Sequence, residues 1–129
     1  MNNNLYPDGN VTETPLIQTI FCHVTKACNL NCSYCYFSAR KPLPDELSTD
    51  HYWRLWSDIV AIRPKKVVLT GGEPLLRKDI LELIYGFRNA DPEHKILLCL
   101  NSNGHAVSLN IAEQLIDLVD EVRISIGPC

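Results

Sequence analysis

Short apolar segments rich in β-branched residues alternate along this chain with amphipathic segments of helical period, and this alternation limits the folds open to it. Strands are predicted over 16–25, 67–70, 96–100 and 122–126. Helices are predicted between them, over about 49–62, from residue 79, and over about 110–119. Strands that alternate with helices form parallel sheets with right-handed crossovers. The sequence therefore predicts an α/β fold.

Short polar motifs mark where the predicted helices begin. Ser or Thr at 48–49 can cap the first helix, which should end before Pro64. Asp79 with Glu82, and Asn110 with Glu113, have the spacing of capping boxes for the second and third helices.

Four parallel strands are too few to close a barrel, so the predicted architecture is a partial TIM-like barrel that stops after its fourth strand. Residues 1–15 are rich in Asn and Pro and are predicted to be a flexible lead-in, and 16–129 are predicted to be the N-terminal portion of a core domain. The last predicted strand would leave an uncovered edge. We therefore expect a fragment of a longer protein, or a half that requires a C-terminal portion or a partner chain.

Composition excludes several functions. The 129 residues contain 12 Lys and Arg against 15 Asp and Glu, so there is no basic surplus for nucleic-acid binding. Apolar runs are only a few residues long, whereas a membrane-spanning helix needs about 20. The first ten residues lack the features of a secretory signal, so we expect a cytoplasmic protein with reduced thiols.

Three of the six cysteines, Cys28, Cys32 and Cys35, fall in the loop after the first predicted strand. Structural zinc sites are closed by four ligands, and iron–sulfur cubanes usually bind four thiolates. Three thiolates on a short loop would leave one metal position open, which is typical of a reactive site. On spacing alone, both a zinc-binding loop and an iron–sulfur site are compatible with the sequence.

The cysteine loop lies on the same predicted rim as a second unusual loop. In parallel α/β folds the loops after the strands collect at one edge of the sheet, where the chemistry takes place. Gly71, Gly72, Glu73 and Pro74 follow the second predicted strand. Cys-x3-Cys-x2-Cys with an aromatic residue, Tyr34, before its last cysteine, together with this Gly-Gly-Glu-Pro turn, resembles the radical S-adenosylmethionine (radical SAM) enzymes over about residues 16–126.

The resemblance implies an enzyme with two cofactors. The three cysteines would ligate a 4Fe–4S cluster, and S-adenosylmethionine would chelate its fourth iron. A one-electron reductant would then allow cleavage to a 5'-deoxyadenosyl radical that abstracts a hydrogen from the substrate. The residues that the resemblance or the strand pattern assigns to S-adenosylmethionine are Tyr34, Gly71, Gly72, Glu73, Pro74, Ser102, Asn103 and Ser125.

Ser125 is assigned from the alternation of the fourth strand. Arg123 and Ser125 alternate with apolar residues, and a polar barrel interior requires a ligand or water. Gly127-Pro128 stands where the family often has Ser-x-Asp-Gly after this strand, so no role of that Asp is transferred.

The substrate is not readable from these residues, although the form of the cysteine loop resembles members that modify peptides. Two alternatives remain: a non-catalytic metal-binding module in which a cysteine-ligated metal holds a loop, and a truncated fragment without activity of its own.

Overall fold

The computed structural model describes residues 17–27, 46–105 and 107–125. The predicted lead-in, the cysteine loop and the residues after 125 lie outside these ranges. Within them, β1, β2, β3 and β4 alternate with α1, α2 and α3, and a 3-10 turn precedes α2. Their bounds are Thr19–Thr25 (β1), Thr49–Ile62 (α1), Lys66–Gly71 (β2), Pro74–Leu76 (3-10 turn), Ile80–Ala90 (α2), Leu97–Ser102 (β3), Leu109–Ile116 (α3) and Glu121–Ile124 (β4).

The four described strands form one parallel sheet in the order β1-β2-β3-β4. This confirms the predicted α/β fold with parallel β/α units, and the described strands do not close into a barrel. None of the described helices is both long and apolar enough to span a membrane.

The register separates the sheet into two faces. Val67 pairs with Leu98, and Leu69 pairs with Leu100, and all four are buried in the main core. That core is completed by the apolar faces of α1 and α2, where Trp56 is fully buried and its indole nitrogen donates to the Leu83 carbonyl at 2.9 Å. The helices therefore cover one face of the sheet.

The beginnings of the helices differ in part from the prediction. Ser48 caps α1 as expected, because its hydroxyl accepts a hydrogen bond from the His51 amide. The two predicted capping boxes are wrong. Asp79 precedes α2 but makes no side-chain cap, and Ser108, rather than Asn110, caps α3. Asp79 fails as a cap because its carboxylate binds other side chains, which are described below.

Candidate functional site

The loops at the carboxyl ends of the strands meet at one rim, as the topology requires for a parallel sheet. A register shift between His23 and Thr25 places Thr25 opposite Gly71, where β1 and β2 end together. The turn 71–74 follows directly, and buried Pro74 begins the 3-10 turn that leads toward α2. The rim therefore starts where the sequence places the cysteine loop.

Gly71 and Gly72 allow the second loop to touch the backbone of the first. Gly71 has φ +143°, and a Cβ there would lie 2.4 Å from the Thr25 carbonyl oxygen. A Cβ at Gly72 would lie 2.1 Å from the Ala27 carbonyl oxygen. Any side chain would force these strands apart. The diglycine therefore positions the turn against the residues that enter the cysteine segment.

Two backbone hydrogen bonds hold this approach. The Gly72 amide donates to the Thr25 carbonyl at 2.8 Å, and the Glu73 amide donates to the Ala27 carbonyl at 2.6 Å. The Thr25 hydroxyl in turn accepts from the Ala27 amide at 3.0 Å. Cys28 is the next residue along the chain, so the residues that immediately precede the cysteine segment are fixed to the turn.

The Glu73 side chain joins the turn to the loop after β3. Glu73 is 1% exposed, and its carboxylate accepts from the Leu75 amide at 3.1 Å, the Ser102 hydroxyl at 2.9 Å and the Asn103 amide at 2.7 Å. These donors are all uncharged. A buried carboxylate needs such partners, because an unpaired one is strongly destabilising. Glu73 therefore fixes the loop after β3 relative to the loop after β2.

Ser102 extends the connection to the fourth strand. Its hydroxyl accepts from the Gly104 amide at 3.0 Å, and its carbonyl accepts from the Ser125 amide at 2.8 Å. Hydrogen bonds thus run across all four described strand ends, from Ala27 through Glu73 and Ser102 to Ser125. The structure brings together the candidate residues 71–74, 102–103 and 125.

Exposure differs among these candidates. Glu73, Pro74 and Ser102 are buried, Gly71, Gly72 and Asn103 are half-buried, and Ser125 is exposed. Arg123 pairs with Asn101, and Val122 pairs with the core residue Leu100. The alternation predicted for the fourth strand is therefore present, with Val122 and Ile124 on the same face as Leu100. Both side chains are nevertheless exposed, at 39% and 46%.

The remaining candidates, Cys28, Cys32, Cys35 and Tyr34, lie outside the described residues. The two described cysteines, Cys22 and Cys99, are buried and free. Burial raises the pKa of the Cys22 thiol to about 11, so the thiolate that metals bind is disfavoured there. In the described ranges no three His, Cys, Asp or Glu side chains form a group that could hold a metal.

The sequence prediction missed Arg77. Its guanidinium donates to the Asp79 carboxylate at 2.5 Å and to the Val24 carbonyl at 2.7 Å, and it also donates to the Leu47 carbonyl. Thr49 donates to the same carboxylate. The only signal in the sequence was a basic residue two positions before Asp79. The rules for helix capping assign no role to a basic residue at that position.

Known proteins resemble this chain in sequence. Residues 22–128 match the sequence model of the Radical SAM superfamily. A probable GTP 3',8-cyclase of Methanopyrus kandleri is 36% identical over 85 residues, which cover 66% of this chain and 27% of that protein. The sporulation killing factor maturation protein SkfB of Bacillus subtilis is 43% identical over 61 residues, which cover 47% of this chain and 15% of SkfB. The chain thus spans only about a quarter, or less, of the length of these relatives.

Solved structures share the fold. BtrN in an open conformation superposes with a TM-score of 0.67 at 19% identity, over 88% of this chain and 51% of BtrN. Streptococcus suis SuiB bound to S-adenosylmethionine superposes with a TM-score of 0.65 at 20% identity, over 83% of this chain and 24% of SuiB. At these identities the likeness establishes the fold.

Proposed function

The chain belongs to the radical SAM superfamily, and on this premise we propose that it carries the cofactor-binding part of a radical SAM enzyme. Membership of this family implies a 4Fe–4S cluster and S-adenosylmethionine as cofactors. The proposed cluster ligands are Cys28, Cys32 and Cys35. The proposed S-adenosylmethionine residues are Tyr34, Gly71, Gly72, Glu73, Pro74, Ser102, Asn103 and Ser125.

One observation carries this proposal. The Gly-Gly-Glu turn is hydrogen-bonded to Thr25 and Ala27, immediately before Cys28. Three thiolates are the donor chemistry that iron–sulfur clusters use, and fewer than four leave an iron open for another ligand. The proposed ligands and the proposed S-adenosylmethionine residues therefore begin at one place on the rim, as both cofactors require if they are to react together.

Cys28, Cys32 and Cys35 would hold the cluster, which would supply the one electron needed to cleave S-adenosylmethionine to methionine and a 5'-deoxyadenosyl radical for hydrogen abstraction from the substrate. The chain's own residues bind and orient the cofactors. Half-buried Asn103 and exposed Ser125 offer polar groups at the rim for a ribose or carboxylate. The close approach of Gly72 to Ala27 fixes the distance between the two loops that would hold cluster and cofactor.

Glu73 is proposed to complement the amino group of S-adenosylmethionine by its charge. Its two carboxylate oxygens offer about four acceptor positions, and the described residues occupy three of them. Because the carboxylate is buried among uncharged donors, its charge is poorly screened by water and acts over a longer range than at the surface. Glu73 would thus contribute both a charge and the position of the loop that carries Asn103.

A peptide is the proposed substrate class. Its support is the 43% identity to SkfB, which is named as the maturation protein of a killing factor, and the shared fold with a SuiB structure that contains a precursor peptide. The reductant is proposed to be a one-electron donor. A cluster held by thiolates suits a reducing compartment, so we propose that the protein acts in the cytoplasm.

Iron content tests the ligand assignment. We expect the full chain, reconstituted anaerobically, to bind about four irons per chain, and Cys32→Ala to lose most of them. Cys99→Ala is the matched control, because Cys99 is buried and free in β3. Equal iron in Cys32→Ala and Cys99→Ala would contradict the assignment.

Release of 5'-deoxyadenosine tests the enzymatic part. The reduced chain with S-adenosylmethionine should release this nucleoside, and Cys32→Ala should not. One equivalent of colourless zinc in the purified protein would instead favour a non-catalytic metal-binding module. Iron uptake without nucleoside release would favour a cofactor-binding fragment that lacks activity of its own.

A further inference from the structure

The segment 28–45, which contains the three proposed cluster ligands, begins and ends among described residues that contact each other. The Lys26 amide, two positions before Cys28, donates to the Glu46 carboxylate at 2.8 Å. Leu47 follows Glu46, and its carbonyl accepts from Arg77. The Val24 carbonyl, near the end of β1, accepts from the same guanidinium at 2.7 Å. Arg77 thus connects the backbone on both sides of the segment.

Arg77 is itself held firmly. Its guanidinium pairs with the Asp79 carboxylate through Nε at 2.5 Å and Nη2 at 3.1 Å. The Arg77 side chain is 10% exposed. Thr49, at the start of α1, donates to the same carboxylate. The guanidinium carbon also lies 5.1 Å from the centre of the Tyr52 ring. The donors that reach the two carbonyls are therefore oriented by contacts within the chain.

We propose that Arg77 is a positioning residue for the iron–sulfur cluster, which acts by holding together the two ends of the cysteine segment. The Arg77 clasp consists of Arg77, Asp79 and the carbonyls of Val24 and Leu47. This inference rests on the proposed function, because it assumes that Cys28, Cys32 and Cys35 bind the cluster.

The physical reason is the conformational entropy of the segment. Three thiolates must meet one cluster, and ordering a chain segment around a ligand costs conformational entropy. A contact that already holds the two ends of a loop together supplies part of this entropy cost, because loop closure is itself entropically unfavourable. The planar, multiply donating guanidinium is suited to this because it reaches two carbonyls and a carboxylate at once, which the point charge of lysine does not.

Arg88 provides a matched control at the opposite end of the sheet. Its guanidinium donates to the Leu118 carbonyl at 2.6 Å, to the Ile96 carbonyl at 3.2 Å and to the Asp120 carboxylate at 2.6 Å. It therefore makes the same kind of contacts as Arg77, but to residues before β3 and β4. A change at Arg88 should affect folding without a specific effect on the cysteine segment.

Amide hydrogen exchange on the metal-free full chain tests the clasp without any cofactor. Arg77→Lys should accelerate exchange at the Lys26 amide about tenfold, which corresponds to ~1.4 kcal/mol, and leave the Leu98 amide unchanged. Arg88→Lys should do the reverse, because the Leu98 amide donates to Asp120, the partner of Arg88. An unchanged Lys26 amide in Arg77→Lys, or equal acceleration of both amides in both variants, would overturn the proposal.

Iron release from the reconstituted chain tests the consequence for the cluster. Arg77→Lys should lose iron to a ferrous chelator about tenfold faster than the unmodified chain, and Arg88→Lys at a rate within about twofold of it. Asp79→Asn, which keeps Arg77 but weakens its anchor, should shift in the same direction and serves if Arg77→Lys does not fold. Equal release rates in Arg77→Lys, or Asp79→Asn, and Arg88→Lys would overturn the inference.

The two proposals fail in different ways. If the proposed function is wrong, the unmodified chain does not bind iron through Cys32. If only the clasp is wrong, the unmodified chain loads iron and releases it no more slowly than Arg77→Lys.

Discussion

Two arginines lie near the two ends of α2, and their contacts show how the two ends of the sheet differ. Arg77 lies before α2 at the carboxyl-end rim, and Arg88 lies in the last turn of α2 at the amino ends of β3 and β4. Arg88 joins elements of the fold to one another. Arg77 joins β1 to the residues that follow the cysteine segment. Equivalent chemistry therefore serves folding at one end and the candidate site at the other.

The largest effect is expected at the amino end. Arg88→Met would remove the charge partner of buried Asp91, whose carboxylate lies 3.7 Å from the guanidinium, and of Asp120 at 2.6 Å. Removing one partner of a buried ion pair typically lowers the free energy of unfolding by about 3–5 kcal/mol. Urea unfolding of the metal-free chain should show a loss of this size. Lys95→Ala is the control, because its salt bridge to Glu93 is exposed. A loss no larger than that of the control would contradict the stabilising role assigned to Arg88.

The next largest effect is expected in the turn at the rim. Gly72→Ala places a Cβ 2.1 Å from the Ala27 carbonyl oxygen, so the two loops must separate. Overpacking of this kind costs about 3 kcal/mol at the upper end of its usual range. We expect a comparable loss in urea unfolding, together with reduced iron uptake. An unfolding free energy equal to that of the unmodified chain would contradict the close approach of the loops.

Glu73→Gln should have a smaller effect on stability but a specific one on the cofactor. The amide group would turn a donor toward the Asn103 amide or toward the Leu75 amide and Ser102 hydroxyl, which costs about 1–3 kcal/mol. Calorimetric titration of the reconstituted chain with S-adenosylmethionine should show weaker binding. Exposed Glu82→Gln is the control, and equal affinity in the two variants would remove Glu73 from the site.

The smallest effect is expected in the pH dependence of stability, and it should appear at both ends of the sheet. Burial raises the pKa of Asp79, but hydrogen bonds from Arg77 and Thr49 and the charge of Arg77 hold it below its usual range. Burial likewise opposes the lowered pKa of Asp120, which is set by hydrogen bonds from the Leu98 amide and from Arg88. A pKa lowered by folding contributes stability above the unfolded value, near 3.9, that is lost as the pH falls through the folded value.

Urea midpoints measured from pH 6 down to about pH 3 should therefore decline as the carboxyls become protonated. Asp79→Asn and Asp120→Asn should each start lower at pH 6 and decline less steeply. A decline in either variant as steep as that of the unmodified chain would mean that the carboxylate contributes nothing to the acid sensitivity of its end.

The elements of the fold were predictable because each has a local signal. The apolar face of α2, with Leu83 and Phe87 buried, follows the helical period, and the core strand residues Val67 and Leu69 form part of a continuous apolar run. Helix starts were less predictable. Asp79 has the sequence of a cap, but Arg77 and Thr49 compete for its carboxylate, and such competition depends on residues distant in sequence.

For the candidate site, the sequence was sufficient to predict which loops lie next to each other. Parallel topology alone places the turn 71–74 beside the loop 102–104, because both follow neighbouring strands. The contacts within the rim were not predictable in the same way. The Glu73 carboxylate accepts a hydrogen bond from the Ser102 hydroxyl. This contact depends on side-chain packing across two strands, and no local sequence pattern encodes it.

We propose above all that the rim presents a cluster with one open iron beside the residues proposed to bind S-adenosylmethionine. The most direct measurement is the electron paramagnetic resonance spectrum of the reduced, reconstituted full chain before and after S-adenosylmethionine is added. We expect a 4Fe–4S signal whose g values change on addition, because S-adenosylmethionine would chelate the open iron. A spectrum that stays the same at saturating S-adenosylmethionine, or a chain that forms no such cluster, would contradict it.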